Sequence, residues 1–141
     1  MHHETSIEIG ADPSVVWATL VDVERWPEWT PSMTEVTRLD DRDLGVGSRV
    51  RIRQPRLPAL VWTVTEYAPR ASFTWASRAP GVTTTAAHRL GPPGPDGAVT
   101  VTLTVDQDGP LAPVMGRLMA PRTGRYIQME AEGLKRRCEA G

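Results

Sequence analysis

The stretch "VTVTLTV" at residues 99–105 alternates valine or leucine with threonine without a break. Successive side chains of a strand point to opposite faces, so Val99, Val101, Leu103 and Val105 share one face. One buried face and one wet face is the mark of an antiparallel sheet covered on a single side. The rest of the chain must supply that cover.

Similar strand readings apply to 6–9, 48–54, 60–67, 71–77 and 82–90, and 33–39 is a less regular candidate. Turn signals lie between them: "DLGVG", "QPRLP", "APR", "RAPG" and "GPPGPDG". Such short connections predict an antiparallel meander.

Two segments depart from the alternation. In "ADPSVVWATLVDVERW", Asp12 suits an N-cap and Pro13 the first helical position, with Val16, Leu20 and Val23 at helical spacing. Pro27 predicts that this helix stops at Trp26. At the C-terminus a long helix is expected from Asp108 or Gly109, with Pro110 in its first turn. Met115, Leu118, Met119, Tyr126, Ile127, Met129, Leu134 and Cys138 form its apolar stripe, and Pro121 is expected to bend it. Strand, helix, meander, long helix is an α+β order, and the terminal helix is the natural cover for the sheet.

A chain of 141 residues suits one domain, expected to span 1–141. Its formal charge of −1 offers no global attraction for nucleic acid or an anionic membrane. The apolar runs are too short for a membrane-spanning helix, and "MHHETSIEIGA" lacks the apolar core of a signal peptide. The single cysteine, Cys138, forms no internal disulfide and fits a reducing cytoplasm. Of 16 basic residues only Lys135 is lysine, a bias associated with GC-rich bacterial genomes.

The element order and five segments resemble the START-like or SRPBCC superfamily and, within it, the polyketide cyclase/dehydrase family. The segments are "IGADPSVVWATLVDVERWPEW" (9–29), "LGVGSRVRI" (44–52), "VWTVTEYAPRASFTW" (61–75), "HRL" (88–90) and "MEAEGLKRRCE" (129–139). The resemblance spans essentially the whole chain. It implies a helix-grip fold: a curved, seven-stranded antiparallel sheet around the long C-terminal helix, with two short helices after the first strand. It also implies an elongated cavity between sheet and helix.

Parity then marks which side chains would face that cavity. The inward sets are Val50, Ile52 and Gln54; Trp62, Val64 and Glu66; Phe73, Trp75 and Ser77; and Val82, Thr84, Ala86, His88 and Leu90. A bulge would flip the assignments beyond it. From the helix come Met115, Met119, Arg122 and Tyr126. Trp17, Trp26 and Trp29 are expected to pack the short helices onto the end of the sheet. An apolar, aromatic pocket with a few polar groups suits a hydrophobic small molecule.

Several chemistries lack their residues. His88 and Cys138 have no companions at metal-ligand spacing, no phosphate loop or G-x-S-x-G elbow occurs, and the only lysine sits in a charged helix end. Cofactor-free work in a cavity remains. The family resemblance implies aldol-type ring closure and dehydration of a poly-β-ketone. Within that reading, strand parity makes His88 the acid/base group and Gln54, Arg122 or Tyr126 the groups that bind carbonyl oxygens. A carrier or sensor of a hydrophobic metabolite, lipid or quinone fits the same residues, and so does a grip on another polypeptide. Monomer and homodimer are both compatible with the sequence.

Overall fold

The computed structural model describes residues 2–140; Met1 and Gly141, the ends of the expected domain, lie outside the described residues. The elements are β1 (His2–Ile9), α1 (Pro13–Val21), a 3-10 helix (Val23–Glu28), β2 (Glu35–Arg38), β3 (Arg49–Arg53), β4 (Leu60–Ala68), β5 (Ser72–Ala79), β6 (Val82–Leu90), β7 (Val99–Asp108) and α2 (Ala112–Glu139). The strands form one curved antiparallel sheet in the order β1-β7-β6-β5-β4-β3-β2. β2 to β7 are the meander that the short turns imply. β1 pairs on the far side of β7, because α1 and the 3-10 helix intervene before β2. This is the helix-grip α+β architecture.

Register places apolar residues opposite one another on the face under α2. Ile9 lies across from Val99, Ile7 from Val101, Val36 from Ile52 and Val50 from Trp62. Those partners, Ile7 apart, are buried, so each pairing adds cross-strand packing as well as ladder hydrogen bonds.

The first helix behaves as capped but not as terminated. The Asp12 carboxylate accepts from Ser14 N at 2.9 Å and from Ser14 Oγ at 2.6 Å, with Pro13 in the first turn. These bonds hold the Asp12 carboxyl below its ordinary value. A depressed folded-state value adds stability above the unfolded value, and that stability is lost as pH falls through the folded one. Asp12→Ala is therefore expected to lower the thermal midpoint at neutral pH. The difference from wild type should vanish in melts at progressively more acid pH.

The expectation that Pro27 ends this helix at Trp26 is corrected. α1 stops at Val21, and Trp26 and Pro27 both lie inside the 3-10 helix. The indole Nε1 of Trp26 donates to Leu20 O at 2.9 Å, satisfying one of the carbonyls a helix end leaves open. Trp26 is fully buried, and with Trp17 it packs the short helices onto the sheet as expected, while Trp29 packs on Trp26 and meets α2 at Gly133.

The start of α2 is also corrected. β7 runs on to Asp108, Gly109 turns the chain at φ +119°, and the helix begins at Ala112 with Pro113 in its first turn rather than Pro110. A Cβ at residue 109 would lie 3.1 Å from the carbonyl carbon of Gly81, so this turn requires glycine. α2 then continues through Pro121 to Glu139.

The apolar stripe of α2 differs from the expected one. Leu118 and Met115 are exposed, while Gly116, Glu130, Ala131 and Gly133 join Ile127, Leu134 and Cys138 on the buried face. From Ile127 onward the helix is clamped to the core by close-fitting small residues. Before that it touches the core through Ala112 and Gly116, and a space opens beneath it.

Candidate functional site

That space is a cavity of about 250 Å³ between α2 and the middle of the sheet. Its floor is β6, where Val82, Thr84, Ala86 and His88 alternate inward. Thr84 and Ala86 are too short to reach the helix, which is why the floor lies open. Trp62 and Trp75 wall one side, and Val105 and Gln107 of β7 the other. Met115, Met119, Arg122, Thr123, Tyr126, Ile127 and Glu130 form the roof, and Met33, Gln54, Leu57 and Pro58 close the end.

Of the residues singled out from the sequence, Gln54, Trp62, Trp75, Thr84, His88, Met115, Met119, Arg122 and Tyr126 line this space. Val64, Phe73 and Ser77 point to the same side of the sheet but are buried in the core and do not reach it. Glu66 is on the wrong face. The register between β4 and β5 slips after Val64, which lies opposite Trp75, so that Glu66 meets Thr74 and Tyr67 meets Phe73. Thr65 is the extra residue. The bulge turns Glu66 to solvent and brings Tyr67 inward against Trp17, with ring centroids 5.7 Å apart.

Two polar side chains fix the edges of the cavity. Tyr126 Oη donates to Pro55 O at 2.6 Å, tying α2 to the β3–β4 loop. Gln54 Nε2 donates to Ser32 O at 3.2 Å, so its amide oxygen is the end left for a ligand donor.

The chemistry concentrates on His88 and Glu130, both less than one-tenth exposed. His88 lies directly across from Phe73, and the two rings stack at 4.3 Å and 18°. Trp26 and Trp75 meet its other sides, each with centroids 5.4 Å away. The imidazole is thus locked in an aromatic box. Its Nδ1 lies 3.1 Å from Phe73 O. A carbonyl oxygen only accepts, so Nδ1 carries the hydrogen. In the neutral ring Nε2 then has a lone pair, and it faces Glu130 Oε1 at 3.3 Å. This contact is a hydrogen bond or ion pair only when a hydrogen sits on Nε2 or on the carboxyl. Glu130 Oε1 is buried with no aligned hydrogen bond, and the Glu130 side chain is among those that line the cavity.

Glu130 was not among the residues read from the sequence. Its signal was present: Tyr126, Glu130, Leu134 and Cys138 follow one another at four-residue spacing. A carboxylate within an apolar helical ladder marks either a buried partner or a site. Among the described residues no group of three or more His, Cys, Asp or Glu stands where it would hold a metal ion. No helix among them is long and apolar enough to cross a membrane.

Comparison with known proteins adds the following. A family model described as polyketide cyclase/dehydrase and lipid transport matches residues 1–139. Among solved structures, a START superfamily protein from Mycobacterium smegmatis is 18% identical with a TM-score of 0.76. That match covers 99% of this chain and 97% of the other. The Zhui aromatase/cyclase from a Streptomyces species is 20% identical with a TM-score of 0.77, covering 99% and 93%. A protein from Thermobifida fusca is 19% identical with a TM-score of 0.78, covering 96% and 91%. No curated protein sequence matches the chain.

Proposed function

The chain belongs to the polyketide cyclase/dehydrase and lipid transport family, and from that footing we propose that it binds a compact, apolar, oxygen-bearing small molecule between sheet and α2. The observation that carries this reading is the buried His88–Glu130 pair on a mostly apolar cavity. Flat indole walls and adaptable methionines suit an aromatic or ring-forming ligand. About 250 Å³ is near the lower end of small-molecule sites, roughly 300–1,000 Å³. That favours a few fused rings or one short chain over a whole diacyl lipid.

In the catalytic form of this reading the ligand is a β-polyketone, whose methylene between two carbonyls is acidic. Glu130 removes the methylene proton, and His88 holds the carboxylate in place. Arg122 supplies the donor for the developing oxyanion, and the apolar walls keep water from quenching it. The enolate carbon attacks a second carbonyl of the ligand, and the proton taken by Glu130 passes to the new alkoxide. In dehydration Glu130 takes a second α-proton and delivers it to the hydroxyl, which leaves as water, so no cofactor enters the balance. One observation favours a carrier or sensor without chemistry: both imidazole nitrogens are engaged within the protein, which leaves Glu130 as the polar group that meets a ligand.

Intrinsic fluorescence tests the proposal. Trp62 and Trp75 wall the cavity, so titration with polycyclic aromatics, polyketide mimics, quinones and fatty acids is expected to give saturable quenching by the ring compounds. A folded sample that responds to none of them would remove the small-molecule reading.

A further inference from the structure

The first half of α2 presents a second surface, facing away from the core. Leu111, Val114 and Leu118 are 49%, 61% and 72% exposed. Arg125, seven residues after Leu118, falls on the same face, and the half-buried Arg122 borders it at the cavity. The face is apolar over its first two turns and basic over the next two. Residues 109–129 hold Arg117, Arg122 and Arg125 and no acid, a local +3 in a chain of formal charge −1. None of the three arginines has a carboxylate partner among the described residues. The acids that flank this segment are Asp108, at the end of β7, and Glu130, which is buried against His88.

Large apolar side chains in a contiguous exposed row mark an interaction surface. We infer that this face docks the protein reversibly on an anionic lipid surface. Leu111, Val114 and Leu118 enter the headgroup boundary, and the exposed Arg117 and Arg125 lie among the phosphates. The charge argues against a second copy of this chain: a two-fold contact that covers the face would set the arginines of both copies together or lay them, unpaired, on the partner's apolar turns. Met115 and Arg122 line the cavity and border this face. Docking would therefore set this edge of the cavity's roof beside the bilayer. The docking surface itself does not depend on what the cavity binds.

Sedimentation with lipid vesicles tests this. Wild-type protein should pellet at low salt with phosphatidylcholine vesicles that contain phosphatidylserine, and stay in solution with phosphatidylcholine alone. Leu118→Glu, at an exposed position outside the cavity lining, should weaken pelleting at least about tenfold. Arg125→Glu reverses one charge and should weaken it roughly thirtyfold, from about fivefold per unit of charge. Tryptophan quenching by a cavity ligand should be unchanged in both variants, which separates this surface from the cavity reading. Wild-type protein that stays in solution at low salt, or Leu118→Glu that pellets like wild type, overturns the inference. So does a wild-type dimer that Leu118→Glu makes monomeric while neither form pellets, since the face would then belong to a second copy.

Discussion

Gly133→Ala is expected to destabilise the protein severely or prevent its folding. In an ordinary helix this substitution gains about 1 kcal/mol, because glycine is the poorer helix former. At residue 133 a Cβ would collide with the Trp29 carbonyl oxygen and lie 3.0 Å from its carbon. That atom is backbone, next to the buried Thr30 and the aromatic cluster of Trp26 and Trp29, so it cannot swing aside. Overpacking a core costs about 1–3 kcal/mol and more where the backbone must move, against a typical total of roughly 5–15 kcal/mol. Gly124 is the internal control. It lies on the same helix with open space around its Cβ position, and Gly124→Ala should stabilise by about 0.4–1 kcal/mol. Denaturant unfolding of the two variants should therefore move in opposite directions. Equal shifts would mean that the helix does not pass so close to the 3-10 segment.

Glu130→Gln is expected to abolish turnover of a β-polyketone mimic while leaving the fold and ligand affinity nearly intact. The amide has the shape of the carboxyl and can donate a hydrogen to the Nε2 lone pair of His88, so the aromatic box around the ring is undisturbed. It cannot accept the methylene proton. A positioned general base contributes about 10²–10⁴ to rate, and kcat should fall by that amount with quenching by the same ligand changed only a few fold. His88→Ala would be a poorer test, since it removes a ring packed against Phe73, Trp26 and Trp75 and leaves a hole in the core. If the wild-type protein binds the mimic and turns over none of it, Glu130→Gln alters affinity alone and the carrier reading stands.

The one-faced sheet, the meander, the N-cap at Asp12 and the covering helix were all legible, because each is written in near neighbours. Alternation reports a half-buried strand, and short turns report antiparallel pairing. The element ends moved where tertiary contacts intervened. Trp26 bonds back to Leu20 O and continues a 3-10 turn through Pro27, although Pro27 itself reads as a stop. Glu66 shows the limit of parity: one unpaired residue, Thr65, reverses every assignment after it, and nothing in "VWTVTEY" announces the slip. Strand β6 contains no such slip, and its inward row of Val82, Thr84, Ala86 and His88 lies where alternation puts it.

By itself the sequence determined the architecture, since hydrophobic period and turn chemistry act over a few residues and leave few ways to cover one sheet face. Only the tertiary structure decided what meets His88. Glu130 lies 42 positions further along the chain, and its approach to within 3.3 Å of the imidazole depends on how far α2 is pressed against the sheet. That depth is set by Gly133 against the Trp29 backbone, a contact between distant segments that no local pattern encodes.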